Sequence, residues 1–223
     1  MKFAMRIKKM LRLLFASTSE RRHSLVGPSH LWEMKRDFQI RFLKHVGLKP
    51  EHYLLDLGCG TLRGGIPLIE YLQEQHYYGI EVRANVLDEG KKELHEANLE
   101  YRQPVLVCAE NIALLRLEKM FDLIWAYSVL IHTTDTILSD TLGFVRAHLN
   151  STGYFYANVS IGERKDETWS EGFPVVTRPF DFYVEVARQA GLNVIDTGTI
   201  ESLGFKSGQQ SHDEKRMLKF YKA

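Results

Sequence analysis

Cysteine is scarce in this 223-residue chain: Cys59 and Cys108 are the two present, too few for a disulfide scaffold or a four-ligand zinc site. An excess of one charge is missing too. Lysine and arginine total 29 against 28 acids, a net charge of +1, so the whole molecule lacks the electrostatic footprint of a nucleic-acid enzyme. No apolar run approaches the roughly 18–20 residues that span a bilayer, and there are no internal repeats or low-complexity tracts. What is there is 44% hydrophobic and 26% charged, the balance of a folded globular protein, at a length that favours one domain.

The even balance hides an asymmetry. Residues 1–22 carry Lys2, Arg6, Lys8, Lys9, Arg12, Arg21 and Arg22 against Glu20, leaving 22 basic and 27 acidic residues in the remainder. Arg12 interrupts the apolar residues that a secretory leader would keep continuous. The segment therefore reads as a basic amphipathic helix, for which two readings stand: peripheral contact with an anionic membrane face, or docking on the body of the protein. The expected location is cytoplasmic, with or without that membrane contact.

From about residue 53, apolar runs alternate with helical patterns, the signature of a parallel sheet with crossover helices. Strands are predicted at 53–57, 76–81, 105–107, 121–126 and 154–159, with helices over 66–72, 84–97, 135–149 and 180–190. Asn150 to Gly153 reads as a turn. The stretches 192–197 and 217–221 have no helix between them, so they are predicted to pair antiparallel. Residues 1–50 form a helical extension, in which Phe38, Phe42, Leu43 and Val46 carry helical spacing. Residues 51–223 form an α/β domain with a doubly wound, mostly parallel sheet, an antiparallel last strand and helices on both faces.

In such sheets ligands bind beyond the carboxyl ends of the strands. The first of these ends is Asp56-Leu57-Gly58-Cys59-Gly60-Thr61-Leu62-Arg63-Gly64-Gly65, where glycines permit a sharp turn and close approach of a ligand. Glu81 follows 21 residues after Gly60, a place from which a carboxylate accepts hydrogen bonds from both ribose hydroxyls. A nucleoside-bearing cofactor is implied. The dinucleotide pattern fails because Arg63 stands at its third glycine, and the NTPase loop lacks its Gly-Lys-Ser/Thr.

The string LDLGCGTLRGG closely resembles motif I of class I S-adenosylmethionine-dependent methyltransferases. The likeness continues through Tyr78-Gly79-Ile80-Glu81, Phe121-Asp122-Leu123-Ile124 and Leu149-Asn150-Ser151-Thr152-Gly153-Tyr154, and covers roughly 50–223. The resemblance implies a Rossmann-like fold and S-adenosylmethionine as cofactor. Asp56, Gly58 and Gly60 would hold its methionine part, with Cys59 between them, and Glu81 its ribose. Cys108-Ala109-Glu110-Asn111 matches the adenine-lining segment. There Cys108 replaces the usual aspartate, so either Glu110 or backbone carbonyls meet the amino group. Leu62 replaces a further glycine of motif I and puts the path of the loop in doubt. Arg63 either pairs with the methionine carboxylate or is solvated. Tyr127 either lines the sulfonium or simply packs.

His132, just beyond the fourth strand, is the candidate general base; the other reading is a residue that only shapes the pocket. His30 and Trp32, in a lead-in that often forms a lid in this family, are candidate acceptor contacts, as are Trp169 and Arg178 in the long polar loop 161–178. Ala126-Tyr127-Ser128-Val129 does not match the Asp/Asn-Pro-Pro-Tyr/Phe pattern of base-amino methylation, and no carboxylate cluster predicts a metal. GCGTLRGG, YYGIE and SVLIHT, with Ser211-His212 before Met217-Leu218, resemble bacterial small methyltransferases that often accompany surface-polysaccharide or secondary-metabolite synthesis. The expected function is O-methylation of a small molecule or glycan, without nucleic acid. A silent S-adenosylmethionine-binding module and a nicotinamide oxidoreductase are the alternatives.

Overall fold

The computed structural model describes residues 18–168 and 173–223. Their order begins with α1 (Thr18–Ser24), α2 (Trp32–His45), β1 (Leu54–Leu57), α3 (Gly65–Tyr71), β2 (Tyr77–Glu81), α4 (Ala84–Glu96), β3 (Val105–Cys108) and β4 (Phe121–Ala126). It continues with α5 (Asp135–His148), β5 (Leu149–Ile161), β6 (Lys165–Thr168), β7 (Pro174–Arg178), α6 (Phe180–Gln189), β8 (Leu192–Thr199), α7 (Gln210–Asp213) and β9 (Arg216–Lys222).

Parallel pairing runs β3-β2-β1-β4-β5, and β9 inserts antiparallel between β5 and β8. The reversed strand expected at the C-terminus is present. Central strands bury both faces, as parallel strands flanked by helices must. Successive residues of β4 serve opposite cores: Leu123 and Trp125 pack with Phe38 and Phe42 of α2 and Leu68 of α3. Ile124 and Ala126 pack with Leu138 and Leu142 of α5 and Tyr183 of α6. The lead-in helix α2 thus shares a core with the sheet.

Two expectations are corrected. Residues 150–153 are the start of β5, with a register shift opposite Phe121 and Leu123. A Cβ at Gly153 would stand 2.9 Å from the carbonyl oxygens of Phe121 and Asp122, so glycine is needed there for close approach, as at many irregular strand positions. Asn150 then donates to Asp122 Oδ1 at 2.6 Å, and Tyr53 N donates to Oδ2 at 2.8 Å. The polar stretch 161–178 contains a β-hairpin, β6 against β7, whose β7 end continues the sheet beside Ser160 and Ile161 of β5. Among the described residues, no helix is long and apolar enough to cross a membrane.

Candidate active site

Motif I leaves β1 through two left-handed glycines, Gly58 at φ +72° and Gly60 at φ +59°. Leu62 also lies in the left-handed region, at φ +59°. The loop therefore keeps a glycine-like path through a leucine, at a cost of roughly 1–2 kcal/mol. Leu62 is fully buried, and that packing outweighs the strain, because burying a leucine is worth about 1.5–3 kcal/mol.

Glu81 ends β2 opposite this loop and is 4% exposed. Gly60 N donates to its Oε2 at 3.0 Å, and Arg83 donates through N and Nε to its Oε1, both at 3.1 Å. A carboxylate has about four acceptor positions. Three are taken from within the chain, so a ribose must share Glu81 with Arg83 or displace it. Asp56 is enclosed below and accepts from the Tyr77 hydroxyl at 2.7 Å. Burial pushes its carboxyl up to about 7, against the opposing pull of Tyr77 and Arg63.

Arg63 is 8% exposed, which removes the solvated reading. Its Nη1 donates to Val26 O at 3.0 Å, and its Nε has no partner among the described residues. An orphaned guanidinium N–H in a hollow shared with Asp56, Gly58, Gly60, Gly64 and Tyr127 fits a carboxylate. Thr61 Oγ1 is likewise buried without a partner among the described residues. These orphans and the glycine cradle fit S-adenosylmethionine.

The hollow measures only about 20 Å³, room for about one water, whereas small-molecule sites run to roughly 300–1,000 Å³. Val26 fills the difference: a Cβ at Gly60 would stand 2.7 Å from Val26 Cγ1. Residues 25–28 form a strap across motif I, tied by Arg63 to Val26 O and by Arg83 to Leu25 O at 3.3 Å. Arg22, before the strap, is 4% exposed and clasped on α4 by Glu89, Glu93 and Glu96 at 3.0, 3.3 and 2.7 Å. It is not part of a basic face free to meet a membrane. The rest of that expectation, residues 1–17, lies outside the described residues. A nucleoside enters this site only if the strap lifts.

Sequence-predicted residues do not all meet here. Cys59 turns its thiol toward β2, where a Cβ at Gly79 would be 2.9 Å from its Sγ; it packs, and burial pushes its thiol up. Ala109 N donates to the Glu81 backbone oxygen at 3.1 Å, while Glu110 is exposed. Tyr127 stacks on Trp125 and lies beneath Arg63, whose Cζ is 6.0 Å from the ring. Trp32 is not open to an acceptor: its ring is covered by His23 at 3.8 Å and by Arg36 at 5.3 Å. Arg178 is 0% exposed. Its Nε donates to Asp135 Oδ1 at 2.9 Å and its Nη2 to Thr133 O at 2.6 Å, while Nη1 is buried without a partner among the described residues, so it braces the turn carrying His132 from inside the fold. Trp169 lies outside the described residues.

His132 occupies a short 3₁₀ turn, Leu130–His132. Its Nδ1 lies 2.8 Å from Pro174 O. A carbonyl only accepts, so Nδ1 carries the proton and Nε2 of the neutral ring keeps its lone pair. Three residues escaped sequence reasoning. Ser128 adopts φ +61° and donates its N–H to Asn158 Oδ1 at 2.6 Å, strain of the kind that clusters at functional sites. Gln39 is buried between Trp125, whose Nε1 donates to its Oε1 at 3.0 Å, and Gly64. A glutamine on the apolar face of α2 was the available signal.

Comparison with known proteins bears on the domain and its fold. A family model described as a methyltransferase domain matches residues 55–155. The uncharacterized methyltransferase C1B3.06c of Schizosaccharomyces pombe is 25% identical over 120 residues, covering 51% of this chain and 42% of the relative. The chain thus matches about two-fifths of that curated relative's length. Among solved structures, the glycopeptide N-methyltransferase MtfA with S-adenosyl-L-homocysteine superposes at a TM-score of 0.64 and 17% identity, covering 86% of this chain and 90% of its own. Magnesium protoporphyrin IX methyltransferase of Synechocystis PCC 6803 gives 0.66 at 16% identity, covering 97% of each chain. At such identities the superpositions establish the fold. That fold is the Rossmann-like one of S-adenosylmethionine-dependent methyltransferases, and the domain match makes residues 55–155 similar to a methyltransferase domain.

Proposed function

We propose that the protein transfers a methyl group from S-adenosylmethionine to an oxygen of a small molecule or glycan, with His132 as general base. The observation that carries the reading is the tautomer: Pro174 O fixes the proton on Nδ1, so in the neutral ring Nε2 is the nitrogen whose lone pair can take a hydroxyl proton. Bound S-adenosylmethionine supplies an electrophilic methyl on a sulfonium. Glu81 takes the ribose, the backbone of Gly58 and Gly60 admits the tail, Arg63 Nε takes its carboxylate, and Asp56 lies beneath. Arg178 and Asp135 hold the His132 turn in register, the positioning that an in-line displacement requires.

Incubation of the protein with methyl-labelled cofactor and pools of hydroxylated metabolites and glycans, followed by product mass, tests this. His132→Ala should lower turnover by about 10²–10⁴ and abolish the acidic limb of the pH profile. A small loss with an unaltered profile would leave His132 a shape residue. The strap supports a second reading, a binding module without turnover. For that, S-adenosylhomocysteine would bind while no acceptor took label.

A further inference from the structure

Two stretches of chain far apart in sequence form the roof beside Tyr127, and both bring cations. His30 and Lys35 come from the lead-in; His212 and Lys215 come from the β8–β9 connection. His30 Nε2 lies 3.1 Å from Gln209 Nε2, which joins the two stretches. Lys35 is 3% exposed, and its Nζ faces the Gly27 turn, 3.7 Å from where a Cβ there would stand. No hydrogen bond or ion pair reaches that Nζ among the described residues, and the charges it feels, Arg63 and Lys215, both repel it. His212, half-buried, faces Lys35, Lys215 and His30 as well as Asp213.

The acids nearby are already engaged. Asp213 accepts from Ser207 N, Ser207 Oγ and Gly208 N at 2.8, 2.6 and 3.0 Å. Asp56 is below, on Tyr77, and Glu214 is exposed and held by Gln210. An enclosed ammonium without a counter-ion is costly, so the cluster has the character of a site whose negative charge arrives with a ligand. The cofactor's own carboxylate is not the natural occupant, because Arg63, whose Nε has no partner among the described residues, lines the motif I hollow and Lys35 does not.

We propose that Lys35 and Lys215, flanked by His30 and His212, form an anion subsite that takes a carboxylate or phosphate group of the methyl acceptor. This rests on the methyltransferase reading and narrows its substrate class to anionic acceptors. Burial holds Lys215 at about 8, and burial with repulsion from neighbouring cations holds Lys35 at about 7 and His212 at about 4. A bound anion stabilises the protonated form of each, so occupancy draws protons in.

The test follows His212 by side-chain NMR titration in the full-length protein, with and without S-adenosylhomocysteine, in chloride, inorganic phosphate or acetate at matched ionic strength. Phosphate or acetate should raise the His212 pKa by about one unit or more. The stronger of the two identifies which anion the subsite prefers. In Lys35→Met and Lys215→Met the titration should start higher and lose its response to the anion, while affinity for S-adenosylhomocysteine stays within about twofold. If one variant fails to fold, the other decides. No anion response in the wild type, or a full response in the folded variants, would overturn the subsite. So would a loss of about tenfold or more in S-adenosylhomocysteine affinity, which would assign Lys35 to the cofactor. If the wild type does not bind S-adenosylhomocysteine at all, the methyltransferase reading falls, and the cofactor-free titration still judges the subsite.

Discussion

Glu81 shows how much a single side chain carries here. It closes the motif I loop through Gly60 N and anchors Arg83, and the proposed function gives it the ribose. Glu81→Ala should weaken S-adenosylhomocysteine binding by about 1.5–3 kcal/mol for a lost charge-assisted bond, read by calorimetry; unchanged affinity would refute the ribose role. Asp56 gives a prediction of opposite character. Its carboxyl is raised from 3.8 to about 7, so the fold holds the protonated form better than the unfolded chain does. Its contribution to stability is whole below pH about 4 and is lost as pH climbs through about 7. Asp56→Asn should therefore flatten the fall of the thermal midpoint between pH about 4 and about 7; an identical fall in both proteins would contradict the shift. Glu81 was legible because strand-end acids follow the glycine loop at a regular distance. Lys35 was not, because a lysine in an amphipathic helix reads as a solvated stem, and only the fold shows that it is enclosed.

At the scale of elements, the strap and the hairpin were the hardest to read. The strap has no period of its own: Leu25, Val26 and Gly27 acquire meaning only when Arg63 and Arg83, from elsewhere in the chain, reach their carbonyls. The hairpin hid because β6 is polar, Lys165-Asp166-Glu167-Thr168, and strands are recognised chiefly by apolar alternation. It nevertheless delivers Pro174 to His132 and Arg178 to Asp135. Arg22→Ala should unlatch the strap, leaving Glu89, Glu93 and Glu96 without their shared cation. We expect association of S-adenosylhomocysteine in stopped flow to quicken severalfold, because a larger fraction of the protein is open. An unchanged association rate would show that the strap does not gate entry.

The whole molecule is a sheet whose order places the β1, β2 and β4 ends side by side, so that Asp56 and Tyr127 line one hollow and Glu81 holds the Gly60 loop beside it. That order was legible from alternating apolar runs and the missing helix before β9. The union of the lead-in with the β8–β9 connection was not, since no local pattern records which distant segments form one roof. The most direct test of the account is a crystal structure of the complex with S-adenosylhomocysteine. It predicts the ribose hydroxyls on the Glu81 carboxylate and Val26 displaced from Gly60. A nucleoside lodged elsewhere, with Val26 still seated on the glycine loop, would contradict it.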